Sequence, residues 1–335
     1  MDVDRAEGAT RSDPARVLVV GAGAVGGFYG SLLARQGMRV AVVCRSEADT
    51  VARQGFRIHS EALGDWVFQP EQVLQTPSSE PIAPDYLLLT TKVLAGEDRA
   101  ALIRPALGPR TVIVVLENGI GIEAPLAAAF PDHELISALA FVCVSRTGPA
   151  EIHHQAYGTL TLGRYPEGIS PAAERLAVAF REAGIAVEVT ADIVTARWRK
   201  AVWNAAFNPA SVLGGCVDTA RLMAEPQTVQ LIRRAMAEVC DVAAAAGHPL
   251  PPQTVDAMLE STASMPPYRT SMTLDALQGR PLERQAILGA MIEQAQVLGV
   301  AVPTLETLDA LLHLHEPVAS DWPRALELER GSLYR

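Results

Sequence analysis

The chain has 335 residues, of which 49% are hydrophobic and 20% are charged. This length is typical of two globular domains, and the composition excludes a disordered or fibrous protein. The formal net charge of -10 argues against a nucleic-acid-binding surface, because such a surface depends on clustered Lys and Arg. We therefore expect a soluble protein that holds any anionic ligand through a few local groups.

The segment 1–15 mixes charges and has no apolar stretch like that of a secretory signal, so it is interpreted as a polar leader of a cytoplasmic protein. The longest apolar run, 135–144, contains Ser137 and is much shorter than the roughly 20 residues of a membrane-spanning helix. The four cysteines lie far apart and do not have the spacing of disulfides or of zinc ligands. The histidine pairs also lack the spacing of zinc ligands. We expect no metal site and no membrane partner.

The first part of the chain alternates apolar runs with helical or turn-rich segments. Residues 16–20 have the pattern of a buried parallel strand, 28–36 have helical spacing, and 39–44 form a second β-rich run. Further apolar runs follow at 85–90, 111–116, 134–144, 159–162 and 186–190. This alternation predicts an α/β domain over 16–191 with a doubly wound, mostly parallel sheet.

From residue 192 the pattern changes to long Ala- and Leu-rich segments with helical periodicity. Prolines divide this part of the chain, and proline is tolerated in the first turn of a helix but not in its interior. We predict an all-α domain over 192–318 and a polar C-terminal tail over 319–335.

A glycine-rich motif follows the first predicted strand and precedes the first predicted helix: Gly21-Ala22-Gly23-Ala24-Val25-Gly26. It fits the G-x-G-x-x-G pattern, in which glycines allow a tight turn and a close approach of the backbone to a pyrophosphate at a helix N-terminus. The motif therefore predicts a Rossmann-type dinucleotide site. The alternative is a glycine-rich turn that only packs the strand against the helix.

The end of the second predicted strand indicates which dinucleotide is bound. An acidic residue normally holds the ribose 2′-hydroxyl of NAD at this position, but the chain has Cys44-Arg45-Ser46. A guanidinium can pair with a 2′-phosphate, and Ser46 can add a donor. Arg45 therefore favours NADP, unless it is only a solvated cation at the end of a strand.

Lys92 and Asn118 follow two later strands of the predicted sheet. Ligands of doubly wound sheets bind at the carboxyl edge, so Lys92 is expected to face the ribose or phosphate of the cofactor. Asn118 is expected near the nicotinamide or the substrate. The alternatives are a surface lysine and an ordinary Asn-Gly turn.

Lys200, Asn204 and Asn208 recur every four residues in an otherwise apolar segment. On an α-helix this spacing places all three on one stripe, and a buried polar stripe needs a polar partner. The stripe predicts a ligand-binding face, with an exposed helix face as the alternative. Because Pro209 disfavours helical geometry at the preceding residue, we expect the helix to bend or end at Asn208.

The chain contains only two lysines, Lys92 and Lys200, among its 28 basic residues. Arg stays protonated near neutral pH, whereas a buried Lys can shift its pKa. A retained lysine is therefore a candidate for proton transfer, with chance retention as the alternative.

Several motifs occur here in an order that is typical of one enzyme family. They are the glycine loop, Arg45, Lys92, Asn118-Gly119-x-Gly121, Trp198-Arg199-Lys200-x-x-x-Asn204-x-x-x-Asn208-Pro209, Ser271-Met272 and Gly279-Arg280-Pro281-Leu282-Glu283. With them the chain resembles the ketopantoate reductases (2-dehydropantoate 2-reductases) over residues 16 to about 315. The resemblance implies NADPH-dependent reduction of a 2-keto acid, most simply ketopantoate to pantoate.

The resemblance also implies roles for particular residues. Lys200 is similar to the catalytic lysine of the family and Glu283 to its active-site glutamate, while Asn118, Asn204, Asn208 and Ser271 are similar to its substrate-binding residues. Lys200 would polarise the C2 carbonyl and then protonate the alkoxide, Glu283 would orient the substrate hydroxyl or the lysine, and Ser271 would bind the substrate carboxylate.

The chain departs from the family pattern at two places. It has Leu282-Glu283-Arg284-Gln285 where many members have Thr-Glu-Ile-Asp, and Tyr268 where Asn is frequent. These departures leave open a reductase of a different branched 2-keto acid or a non-catalytic NADP-binding regulator. Hydroxyacid dehydrogenases of the 6-phosphogluconate type, which also have a Lys-x-x-x-Asn helix after a Rossmann domain, are a more distant alternative. A homodimer is compatible with all of them.

Overall fold

The structure, a computed structural model, describes residues 13–80 and 83–315. Within these ranges the chain forms two compact units. The first contains residues up to 92, 98–117 and 123–193, and the second contains 93–97, 118–122 and the residues from 194 onward. Most of the predicted leader and the whole predicted tail lie outside the described residues.

The first unit is built on one ten-stranded sheet. Its strands in chain order are β1 Arg16–Val20, β2 Arg39–Val43, β3 Phe56–Ser60, β4 Gly64–Phe68, β5 Gln72–Leu74, β6 Tyr86–Leu89, β7 Val112–Val115, β8 Leu135–Gly148, β9 Glu151–Arg164 and β10 Val187–Val189. The spatial order is β4-β3-β9-β8-β7-β6-β1-β2-β5, and β10 pairs with β9. All neighbours from β5 to β8 are parallel, which confirms the predicted Rossmann-type sheet.

Helices pack against this sheet and close its apolar core. They are α1 Ala24–Arg35, α2 Ala48–Gln54, α3 Arg99–Ile103 with a 3-10 turn at Arg104–Ala106, α4 Ala124–Ala129 and α5 Pro171–Glu182. In α1, Phe28, Tyr29, Leu32 and Leu33 are fully buried. These apolar residues recur at helical spacing, which makes α1 a buried connection between the parallel strands β1 and β2.

The sheet extends beyond the predicted strands on one side. Strands β3 and β4 form an antiparallel pair, and β3 joins the sheet through β9. These strands mix buried and exposed residues, so they contain no continuous apolar run of the kind that marked the predicted strands. Strand β9 likewise starts at Glu151, well before the predicted run 159–162, because its polar first half pairs with β8 along a long hairpin.

The second unit is helical, as predicted. Its helices are α6 Ile193–Leu213, α7 Thr219–Met223, α8 Pro226–Ala245, α9 Thr254–Ser264, α10 Ser271–Leu277, α11 Ala290–Leu298 and α12 Pro303–His313, and a π-helical turn at Gln285–Gly289 leads into α11. Prolines start α8 and α12, where their missing N–H has no consequence. Across 13–80 and 83–315 we find no helix with the length and apolarity needed to cross a bilayer.

The helix does not end at Asn208, so that part of the expectation was wrong. Helix α6 continues through Pro209 to Leu213. A proline inside a helix costs about 3 kcal/mol, but Phe207, Ala210 and Val212 on either side of it are buried. The burial of this apolar helix stabilises it enough to tolerate the proline.

Candidate active site

The three glycines of the loop after β1 have three different environments. Gly21 has a φ of +97°, and a Cβ there would lie 2.8 Å from the Thr91 nitrogen. A Cβ on Gly26 would clash with the Thr90 hydroxyl and lie 2.6 Å from the Gly21 oxygen. A Cβ on Gly23 would meet only the Gly21 oxygen, at 3.9 Å. The first glycine is needed for the turn, the third for packing, and the second leaves open space at the start of α1.

This open space is the part of the loop that fits a pyrophosphate. Gly23 is the residue that precedes α1, and no side chain caps the helix there. The first turn of α1 also has no acidic residue. Unpaired N–H groups at a helix N-terminus favour an anion, so the loop fits a dinucleotide phosphate.

Arg45 and Ser46 are exposed just past the end of β2. The nearest acid in sequence is Glu47, which accepts a hydrogen bond of 3.1 Å from the Ala150 N–H and pairs with Arg146. That carboxylate is therefore held by other partners. The cation at the strand end fits a ligand phosphate better than it fits a ribose 2′-hydroxyl.

A buried polar cluster joins the ends of β6 and β7. Glu117 accepts hydrogen bonds from Thr91 Oγ1 and from Arg99 Nη1, both at 2.7 Å. The side chains of Arg99 and Glu117 are 10% and 0% exposed. Thr91 directly precedes Lys92, which is partly exposed. This cluster was not predicted from the sequence, in which an acid directly after the apolar run 111–116 is its only signal.

Lys200 and Asn118 meet in the second unit. The Lys200 ammonium donates to Asn118 Oδ1 at 2.7 Å, and both residues are partly exposed. They line one pocket together with Asn204. The full lining is Asn118, Gly119, Ile120, Arg197, Lys200, Ala201, Asn204, Ala286 and Ile287. This pocket presents an ammonium, a guanidinium and two amides beside small and apolar residues, which is the pattern of a small polar-ligand site.

The surroundings of Lys200 change its acidity. The pKa of Lys200 is lowered from 10.5 to about 7: burial is the largest cause, the nearby Arg197 guanidinium also lowers the pKa, and the Glu283 carboxylate acts in the opposite direction. A lysine of this pKa is present in both protonation states near neutral pH. It can therefore donate a proton there, which an ordinary surface lysine does poorly.

The structure does not bring the other predicted substrate residues into this pocket. Asn208 is on the same helix but is 2% exposed, and it does not line the pocket. Ser271 is exposed at the start of α10. Glu283 is buried, and its Oε1 accepts a hydrogen bond of 3.0 Å from the Val93 N–H. Its influence on Lys200 is electrostatic.

The residues that depart from the family pattern mostly have structural contacts. Arg284 donates to both carboxylate oxygens of Asp309 at 2.8 Å, and Gln285 donates to Glu293 at 2.8 Å. Leu282 is part of the apolar core. None of these three lines the pocket, so the departures at these positions leave its lining unchanged.

No metal site was expected at the four cysteines or at the histidine pairs His153-His154 and His313-x-His315. His153 bonds to Glu61 and His154 to the Ser60 hydroxyl. In the part of the chain that the structure describes, no group of three or more His, Cys, Asp or Glu side chains is arranged to hold a metal ion.

Comparison with known protein sequences points to one enzyme family. The profile of the family described as ketopantoate reductase PanE/ApbA matches residues 17–167, and that of its C-terminal part matches residues 192–316. A 2-dehydropantoate 2-reductase from Nostoc sp. is 32% identical, over 87% of this chain and 92% of that protein.

Solved structures agree with the sequence comparison. The crystal structure of 2-dehydropantoate 2-reductase from Methylococcus capsulatus is 48% identical with a TM-score of 0.85, and covers 92% of this chain and 99% of that one. The enzyme of the same name from Geobacter metallireducens is 35% identical with a TM-score of 0.84, and covers 89% and 99%. The chain therefore belongs to the ketopantoate reductase PanE/ApbA family.

Proposed function

We propose that this protein reduces 2-dehydropantoate to pantoate with NADPH. The observation that carries the proposal is the Lys200 ammonium, held by Asn118 in a pocket that also presents Asn204. The relatives named 2-dehydropantoate 2-reductase support the choice of substrate. The first unit would hold the cofactor, and the second would carry the residues that move the proton.

The loop Gly21–Gly26 would hold the pyrophosphate of NADPH at the start of α1. Arg45 would pair with the 2′-phosphate, and Lys92 would contact the ribose or a phosphate. When bound, NADPH supplies the hydride that reduces the keto carbon. The protein then has to stabilise and protonate the carbonyl oxygen.

Lys200 would perform both tasks. Its ammonium polarises the C2 carbonyl while negative charge develops on the oxygen, and it then donates a proton to that oxygen. Asn118 orients the ammonium through the 2.7 Å hydrogen bond. A pKa of about 7 makes the ammonium a stronger acid than a solvated lysine, so that proton transfer is favoured at neutral pH.

The remaining polar residues would hold the substrate. Asn204 lies one helical turn after Lys200 in the pocket wall, where its amide can bond to a hydroxyl or carboxylate. Asn118 would also contact the nicotinamide side of the substrate. Asn208 and Ser271 are proposed as further substrate contacts, and Glu283 as the group that orients the substrate hydroxyl or the lysine.

The proposal is tested by following NADPH oxidation with a panel of branched and hydroxylated 2-keto acids, and by identifying the product. We expect 2-dehydropantoate to have the highest kcat/KM and pantoate to be formed. A higher kcat/KM with another branched keto acid would contradict the substrate. NADPH binding without turnover of any keto acid would instead indicate a non-catalytic regulator.

Arg45→Ala is expected to weaken the preference for NADPH over NADH by about 1 to 3 kcal/mol, roughly 5- to 150-fold in the ratio of kcat/KM values. The loss follows from the removal of a charge-assisted hydrogen bond to the 2′-phosphate. Arg53→Ala, which removes an exposed cation from α2, is the matched control. An unchanged preference in Arg45→Ala would place the 2′-phosphate site elsewhere.

A further inference from the structure

Arg197 lies in the same pocket as Lys200, although nothing in the proposed reaction uses it. It is located three residues before Lys200 on α6, a spacing that places both side chains on one face of the helix. It is only 4% exposed and lines the pocket. A buried arginine is rare unless its charge is compensated and its N–H groups donate hydrogen bonds.

The guanidinium anchors the backbone turn that carries Asn118. Arg197 Nη1 donates to the Gly119 carbonyl oxygen at 3.1 Å. The turn is confined on its other side as well, because Gly119 has a φ of +121° and a Cβ there would lie 2.9 Å from the Ala286 oxygen. The Ile120 N–H also donates to the Ala286 oxygen, at 3.3 Å. Asn118 is thereby fixed where its side chain receives the Lys200 hydrogen bond.

The same guanidinium acts on Lys200 through its charge. Two charged groups influence the ammonium, Arg197 from the same helix and Glu283 from the segment before the π-helical turn. Arg197 lowers the pKa of Lys200, second only to burial, while Glu283 raises it. Arginine keeps its proton at every physiological pH, so this effect is permanent.

We infer that Arg197 is a positioning residue for Lys200, with two effects. It fixes the Asn118–Gly119 turn that orients the ammonium, and its permanent charge makes that ammonium a readier proton donor. The inference rests on the proposed function, in which Lys200 delivers its proton to the alkoxide. When Lys200 loses that proton, its repulsion by Arg197 disappears, so Arg197 favours the product of this step. It should therefore affect kcat more than the KM of the keto acid.

The two-lysine composition makes a direct measurement possible. Protein labelled with ¹³C at the lysine ε-carbon will show two side-chain resonances, and Lys92→Arg will identify the one from Lys200. Titration of the wild-type protein is expected to give a midpoint for Lys200 near the value of about 7. In Arg197→Gln, which keeps a donor but loses the charge, the midpoint is expected to rise by about one pH unit.

Two further variants complete the test. A raised midpoint of Lys200 in Arg197→Gln should also raise the upper pH limit of kcat/KM in that variant. Arg197→Lys keeps the positive charge, so its upper pH limit should stay near that of wild type. A limit raised as far in Arg197→Lys as in Arg197→Gln would refute the electrostatic effect. Arg234→Gln, an exposed arginine of α8, is the control and should leave the Lys200 midpoint unchanged. An unchanged midpoint in folded Arg197→Gln would overturn the inference.

The titration needs no turnover, so it separates the inference from the proposed function. A raised midpoint together with the absence of any keto-acid reduction would refute the function and support the electrostatic effect of Arg197. Normal reduction with an unchanged midpoint would refute only the inference. A fall in kcat that exceeds the rise in KM in Arg197→Gln would support the positioning effect.

Discussion

Replacing Lys200 with alanine should lower kcat for NADPH-dependent keto-acid reduction by about 10²- to 10⁴-fold, the usual contribution of a positioned general acid. The pocket would lose both the cation that polarises the carbonyl and the proton that the alkoxide needs. Turnover is measured as NADPH oxidation at saturating 2-dehydropantoate, so that an effect on substrate binding does not obscure the chemical step.

Lys200→Arg separates charge from proton donation. Arginine keeps the positive charge but does not release its proton near neutral pH, so this variant should also have a strongly reduced kcat. Arg234→Ala, on the exposed face of α8, should retain wild-type activity. Near-normal turnover of Lys200→Ala would exclude the assigned role.

Replacing Glu117 with alanine should destabilise the protein by about 3 to 5 kcal/mol, because it leaves the buried Arg99 guanidinium without its carboxylate. Arg99 and Glu117 are joined at 2.7 Å, and their side chains are almost fully shielded from water. The cluster also holds Thr91, so the ends of β6 and β7 would lose a shared anchor. The free energy of unfolding is measured from urea denaturation.

An exposed ion pair provides the comparison. Arg221 and Glu225 are paired at 2.6 Å but are 60% and 48% exposed, and such pairs contribute at most about 1 kcal/mol. Glu225→Ala should therefore change stability far less than Glu117→Ala. Replacing Glu117 and Arg99 together with apolar residues should be milder than Glu117→Ala alone. Equal small losses in Glu117→Ala and Glu225→Ala would contradict the assigned role of the buried pair.

The central part of the sheet could be predicted because its signals are local. Strands β1, β2, β6 and β7 are short apolar runs buried on both faces, and the glycine loop has a fixed spacing. Strands β3 and β4 were missed because the predicted strands were all continuous apolar runs, whereas β3 and β4 include exposed polar residues such as Arg57, His59 and Asp65. Strand β3 joins the sheet through β9, which lies almost a hundred residues later in the chain, so its place in the sheet has no local signal.

The candidate site could likewise be predicted only where its sequence signals are local. Lys200 and Asn204 were predicted to share a helix face from their spacing alone, and both line the pocket. The approach of Asn118 to Lys200 depends on tertiary structure; the place of Asn118 after a predicted strand and the resemblance to a family marked it as a site residue but did not give this contact. Arg197 is one of twenty-six arginines, and no local pattern marks it as buried. Its contact with the Gly119 carbonyl is visible only in the structure.

The role of Lys200 is tested most directly by a crystal structure of the protein with NADP⁺ and pantoate bound. We expect Lys200 Nζ to lie within about 2.6 to 3.2 Å of the C2 oxygen of pantoate, the distance that proton transfer requires, and Asn118 to accept its hydrogen bond as before. A pantoate C2 oxygen bound by other groups, with the Lys200 ammonium facing solvent, would contradict this role.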